Sequence, residues 1–190
     1  MSLTKKDKEE IKQMVIEVIK SQDIMVDEKT SDILTTIDYW NENAIDTGMG
    51  FVVAPFDLVL PDDKKYFTWD EAMEIEEKYL KPNGWRLPTV KDFTMLYGKY
   101  GLDEDGEENV KNLVKIFSLG LNGFRDYDDD MHYQGTGGLY WSSTACSSDT
   151  YAHYLYLNSS GAVDPADIGN KYDGFSLRCV KDKEEEWLEK

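Results

Sequence analysis

The sequence predicts an α+β domain preceded by short N-terminal helices, and three observations carry that expectation. The stretch from Trp141 to Val180 alternates apolar and polar residues at the period of strands, the middle of the chain holds two Thr-initiated helical segments, and the first forty residues carry apolar side chains at helical spacing. With 190 residues, 41% hydrophobic and 13% aromatic, the chain has enough apolar matter for one packed core. We divide it into an N-terminal helical segment (1–45), a main body (46–182) and an acidic C-terminal tail (183–190).

Taken in order, residues 5–20 place Ile11, Met14, Val15, Val18 and Ile19 on one stripe, with Lys and Glu opposite. A second helix is expected from about Ser31 to Trp40, carrying Ile33, Leu34, Ile37 and Trp40. Two such helices either dock on the body or pair with a second copy of the chain, giving a homo-oligomer. The glycines around Met49 open an apolar run, Phe51 to Leu60, that reads as a buried strand. Thr68, with Glu71 three residues on, forms a capping box for a helix from Trp69 to about Leu80, ended by Lys81-Pro82-Asn83-Gly84. Thr89 caps a further helix, Val90 to Tyr100, with Phe93, Leu96 and Tyr97 turned inward. A short helix near Glu108 to Phe117 interrupts a loop-rich region. Strands are expected at Leu139–Ser142, Ala152–Asn158 and Gly174–Val180, the last with Phe175, Leu177 and Cys179 on one face.

The formal charge of −17, with only three arginines, opposes binding to a phosphate backbone, so nucleic acid is not expected as a partner. No 18-residue apolar window exists, so membrane insertion is not expected. The first residues lack the apolar core of a secretory signal, and export by a route not marked in the sequence stays open. Two cysteines, Cys146 and Cys179, do not make a disulfide scaffold. One bridge or two free thiols are both open.

Composition is most unusual from Ser142 to Cys179. Across those thirty-eight residues Lys, Glu, Gln, Met and Trp occur once, as Lys171, although they make up 49 of the 190 residues and about ten would be expected. Apart from Leu, Val, Ile, Phe, Pro, Cys and Arg178, what remains is Tyr, Ser, Asn, Asp, Gly, Ala, His and Thr. Tyr offers contact area with few rotamers to freeze, and the small polar residues offer adaptable hydrogen bonding, which suits a binding surface. Plain loop-and-strand composition is the alternative source of such a bias.

Four segments then match a family pattern in order: Trp69-Asp-Glu-Ala72, Gly84-Trp85-Arg86-Leu87-Pro88-Thr89, Tyr140-Trp141-Ser142-Ser143-Thr144, and Gly174-Phe175-Ser176-Leu177-Arg178-Cys179-Val180. Over about residues 50–181 the chain resembles the C-type lectin-like fold of the Fibrobacter succinogenes major paralogous domain, and in particular the variable proteins of diversity-generating retroelements in phages, archaeal viruses and gut bacteria. The resemblance implies a non-enzymatic protein that displays a hypervariable surface toward a protein or glycan on a target cell. It also implies copying of template adenines with errors, turning AAC codons into NNC. NNC codons cannot encode the five depleted residues, and Lys171 is then a fixed position.

Carried onto this chain, the replaceable contact residues are Cys146, Asp149, Thr150, Tyr151 and His153 in a loop and strand edge. Tyr154, Tyr156 and Asn158 follow, expected to face outward between Leu155 and Leu157. Ala162, Asp164, Ala166, Asp167, Ile168, Asn170, Tyr172 and Asp173 lie in the following loop. All sixteen are expected to contribute little to folding. Trp85, Leu87 and Trp141 are expected in the core, and Arg86 as a half-buried donor tying loops together. The undiversified alternative is a structural or adhesive lectin-like domain of a bacterial surface protein.

No serine elbow or zinc pattern accompanies His132 and His153. The carboxylates at Asp126 to Asp130 and at Asp103 to Asp105 lack EF-hand spacing and read as solvated loops, so no cofactor is expected. An enzyme of the formylglycine-generating type would need a pocket with convergent titratable groups.

Overall fold

The computed structural model describes residues 28–101 and 110–183. The expected helix at 5–20, the acidic pair at 103–105 and residues 184–190 of the C-terminal tail lie outside the described residues.

Helix α1 (Glu28–Asn43) buries Ile33, Ile37 and Trp40, one side chain per turn of a single face. Leu34, expected on that stripe, is exposed. A hairpin follows, β1 (Ile45–Asp46) and β2 (Phe51–Val53), turned by Gly48 and Gly50 at φ of 63° and 86°. The strand expected as far as Leu60 stops at Val53. Pro55 has no N–H to give a ladder, and Phe56 and Val59 turn to solvent. Beyond it the chain is held by single bonds, Ala54 N–H to the Cys179 carbonyl and Leu58 N–H to the Leu177 carbonyl, both 2.9 Å.

Thr68 and Glu71 close the expected capping box at the start of α2 (Trp69–Ile75). The helix then widens into a π turn (Glu76–Leu80) and a 3-10 turn (Lys81–Asn83), and Gly84 ends it in the left-handed region at φ 76°. Helix α3 (Val90–Tyr100) starts at Thr89 as expected, with Asp92 completing a second capping box, and buries Phe93 and Leu96 while Tyr97 stays half-exposed. Helix α4 spans Val110–Phe117.

Strands β3 (Phe124–Arg125) and β4 (Met131–His132) form a small hairpin. Then β5 (Gly137–Ala145), β6 (Tyr151–Asn158) and β7 (Val163–Asn170) make an antiparallel sheet in that order. Finally β8 (Val180–Asp182) returns to pair with β2, closing a sheet of order β1-β2-β8. The described residues therefore contain four α-helices and three small antiparallel sheets, an α+β arrangement.

Two differences from the expected strands have clear causes. Gly174 to Cys179 runs through the interior without a regular ladder. It bonds in turn to Arg125, Phe67, Leu139 and Trp141, and is buried throughout. Its alternation survives in another form: Phe175, Leu177 and Cys179 join one apolar cluster, while Arg178 turns to Asp57 and Ser176 to Asn122. The second difference is β7, expected as a loop. Pro165, two aspartates and Gly169 make it a poor strand by propensity, yet it pairs along β6 as an edge strand, where a proline is tolerated.

The core lies on both faces of this sheet. On one, Leu139, Trp141, Ala152 and Tyr154 join α1, the α2 region and Phe175. On the other, Tyr140, Leu155, Leu157 and Val163 meet α3 and α4. Trp141 is wholly buried, stacked 4.0 Å from Phe175, with its Nε1 donating to the Phe67 carbonyl at 2.7 Å. Trp85 and Leu87 are buried as expected, and Arg86 ties three segments: its guanidinium donates to Asp92 and Asp182, and its backbone pairs with Val180.

Candidate ligand-binding surface

Three local devices shape the β6–β7 hairpin. At its turn, the Asn158 side-chain oxygen accepts from the Ser160 N–H, the Ser160 hydroxyl and the Ala162 N–H. Within β7, register passes from Tyr154↔Asp167 to Tyr156↔Asp164. Two residues, Pro165 and Ala166, thus stand opposite Leu155 alone, a β-bulge. Asp164 stabilises it by accepting from the Ala166 N–H at 2.9 Å. After β7, Asn170 accepts from the Tyr172 N–H and so sets the next turn.

Cross-strand partners share a face, so the register assigns each side chain. Tyr151 pairs with Asn170 and His153 with Ile168 on one face, while Tyr154 pairs with Asp167 and Tyr156 with Asp164 on the other. The sixteen predicted residues therefore wrap around the edge of the sheet rather than tiling one plane. Asp149, Thr150, Tyr151, Ala162, Asp164, Ile168 and Tyr172 are exposed. Cys146, His153, Tyr156, Asn158, Ala166, Asp167, Asn170 and Asp173 are half-buried.

Tyr154 is the exception and corrects the expectation that it faces outward. It is 9% exposed, with its ring edge-on to Trp141 and Phe175 at 6.2 and 4.8 Å. Its hydroxyl donates to Asp167 at 2.6 Å. Burial, then the adjacent Asp167 carboxylate, push that hydroxyl far above the usual tyrosine range. The underlying face is covered because Phe175 fills it, and Gly169 gives the ring room: a Cβ there would come within 2.9 Å of Phe175. Asn158, Asp164 and Asn170 also hold the backbone in shape, so they contribute to folding locally, contrary to expectation.

Lys171 is anchored. Its ammonium lies 4.3 Å from the Trp69 ring centre, its N–H donates to the Thr150 carbonyl, and its own carbonyl accepts from the Trp69 N–H.

Neither histidine assembles a nucleophile pair. His132 Nε2 meets Asp126 at 2.6 Å, and His153 Nδ1 donates to the Ala166 carbonyl at 2.9 Å. Among the described residues, no group of three or more His, Cys, Asp or Glu is placed to hold a metal ion. Both cysteines are free, and burial raises the Cys179 thiol well above its ordinary value. No described helix is long and apolar enough to cross a membrane.

Sequence reasoning missed an open groove of about 580 Å³ beside the end of β7. It lies between the segment around Lys64 to Glu71 and the β3–β4 hairpin, with Tyr172 at its margin. Its walls come from segments far apart in the chain, so no periodicity marks it. The acidic run at Asp126 to Asp130, which lends Asp126 and Asp129 to its wall, reads in the sequence as a solvated loop.

Comparison of the chain with protein-family models, with curated proteins and with solved structures gave no match in any of the three.

Proposed function

We propose that this chain is a non-enzymatic ligand-binding protein of the diversity-generating retroelement kind, with a C-type lectin-like scaffold presenting replaceable side chains between Cys146 and Asp173. One observation carries the reading: the segment with the restricted residue palette is also the segment whose side chains reach solvent at the sheet edge. Fifteen of the sixteen candidate residues are exposed or half-exposed. The single member of the depleted set, Lys171, stacks on Trp69 and belongs to the framework. A palette limited by local fold alone gives no reason for Glu, Gln and Lys to be missing from exposed positions such as Asp149, Ala162 and Ile168. The partner is a protein or glycan on a target surface, contacted mainly through Tyr151, Tyr156 and Tyr172.

The test is amplicon sequencing of the coding segment from its source population. Substitutions confined to NNC codons among residues 146–173, beside an invariant template copy, are the expected result. Variation spread evenly over the gene would overturn the proposal.

A further inference from the structure

The groove between the Lys64–Glu71 segment and the β3–β4 hairpin has three features of a site for an uncharged ligand. First, it is lined by three tyrosines. Tyr127 and Tyr172 are 70% and 65% exposed, whereas Tyr66 is half-buried and fixed by its hydroxyl donating to the Asn122 carbonyl at 2.6 Å. Second, its charges nearly balance, with Lys64, Lys65 and Arg125 set against Asp63, Glu71, Asp126 and Asp129. Lys64 pairs with Glu71 at 2.5 Å and Arg125 with Asp129 at 3.2 Å. In a chain of charge −17, the groove thus presents alternating donors and acceptors with little net field.

Third, the hairpin is set before any ligand arrives. Asp126 accepts from the N–H groups of Asp128 and Asp130 at 3.0 Å each and bonds His132, while Arg125 and Gly174 exchange backbone hydrogen bonds. Tyr127 is therefore carried on an ordered support despite its exposure, and less conformational freedom is lost on binding.

We infer that this groove is a metal-independent binding site for an uncharged glycan. The C–H faces of a pyranose carry positive partial charge and meet the negative faces of tyrosine rings. Each sugar hydroxyl both donates and accepts, matching paired cations and carboxylates better than a phosphate or a polybasic peptide would. Apart from Tyr172, the groove lies outside residues 146–173. It goes beyond the function proposed above and can fail while that reading stands.

The experiment is saturation-transfer NMR on the full chain in EDTA, with cellobiose, lactose, maltose and N,N′-diacetylchitobiose as neutral probes and 3′-sialyllactose as the charged one. Transfer from at least one neutral sugar is expected. Tyr127→Ala and Tyr172→Ala should each weaken it about three- to tenfold, with Tm unchanged, while Tyr39→Ala, at an exposed position of α1 outside both surfaces, leaves it intact. No transfer from any neutral sugar at millimolar concentration, transfer from sialyllactose alone, or transfer indifferent to Tyr127→Ala would each overturn the inference.

Discussion

The Lys171 ammonium sits 4.3 Å from the centre of the Trp69 ring, joining the turn after β7 to the first turn of α2. A cation over an indole contributes about 0.5–1 kcal/mol at a partly exposed site. Lys171→Ala should lower stability by about that amount in urea denaturation. Asp149→Ala and Ile168→Ala, at exposed positions, should stay within about 0.5 kcal/mol. Equal losses at all three would remove the distinction between framework and replaceable positions.

Tyr154 separates from its neighbours in the same assay. On periodicity alone Tyr154→Ala would be nearly silent. Seated against Trp141 and Phe175, it should instead cost about 3–5 kcal/mol, comparable to Trp141→Ala. Tyr154→Phe keeps the ring and removes only the bond to Asp167, a loss of about 1 kcal/mol. A Tyr154→Ala protein as stable as Tyr151→Ala would contradict this placement.

Arg178 is 2% exposed and donates to Asp57 and to the carbonyls of Ala54, Phe117 and Ser118. Asp57→Ala would leave a buried guanidinium without its carboxylate, and breaking such a pair costs about 3–5 kcal/mol. Thermal or chemical unfolding measures it directly, and a loss below about 1 kcal/mol would contradict the pairing.

Asp92 gives stability a pH dependence. Burial by itself raises its pKa, but the hydrogen bonds from Arg86 and from the Thr89 N–H and hydroxyl outweigh it, and the folded value lies below 3.8. A carboxyl depressed in the folded state contributes stability above its unfolded pKa and loses it as pH falls through the folded one. Asp92→Asn should therefore cost roughly 2 kcal/mol at neutral pH and flatten the acid limb of a stability–pH curve below about pH 4. An unchanged acid limb would show that the carboxylate is not held by these donors.

The thiols differ in access. Cys146 is half-exposed and Cys179 buried. Iodoacetamide should label one cysteine in the native protein and two in denaturant. Two labelled under native conditions would place Cys179 at the surface.

Features that depend on neighbours a few residues apart could be read from the chain alone. The Thr68–Glu71 box and the Gly84 stop were legible because each capping bond spans three residues and a left-handed turn needs a glycine. The Thr89 start of α3 was legible too, although Asp92 completes its box where a Glu or Gln is usual. Ile33, Ile37 and Trp40 of α1 and Leu155 and Leu157 of β6 followed from period alone.

Tertiary structure decided the rest, because the deciding partners are distant in the chain. A period of two says that Tyr154 and Leu155 point to opposite faces, but not that both faces are covered. Phe175, more than twenty residues away, covers the second. Val163 and Ile168 are outweighed as strand formers by Pro165, Gly169 and two aspartates; β6 supplies the backbone partners that make Val163 to Asn170 a strand. The groove, too, exists only where the Lys64–Glu71 segment, the β3–β4 hairpin and Tyr172 converge. Local sequence fixes local bonds, while which surfaces are buried depends on where remote segments come to rest.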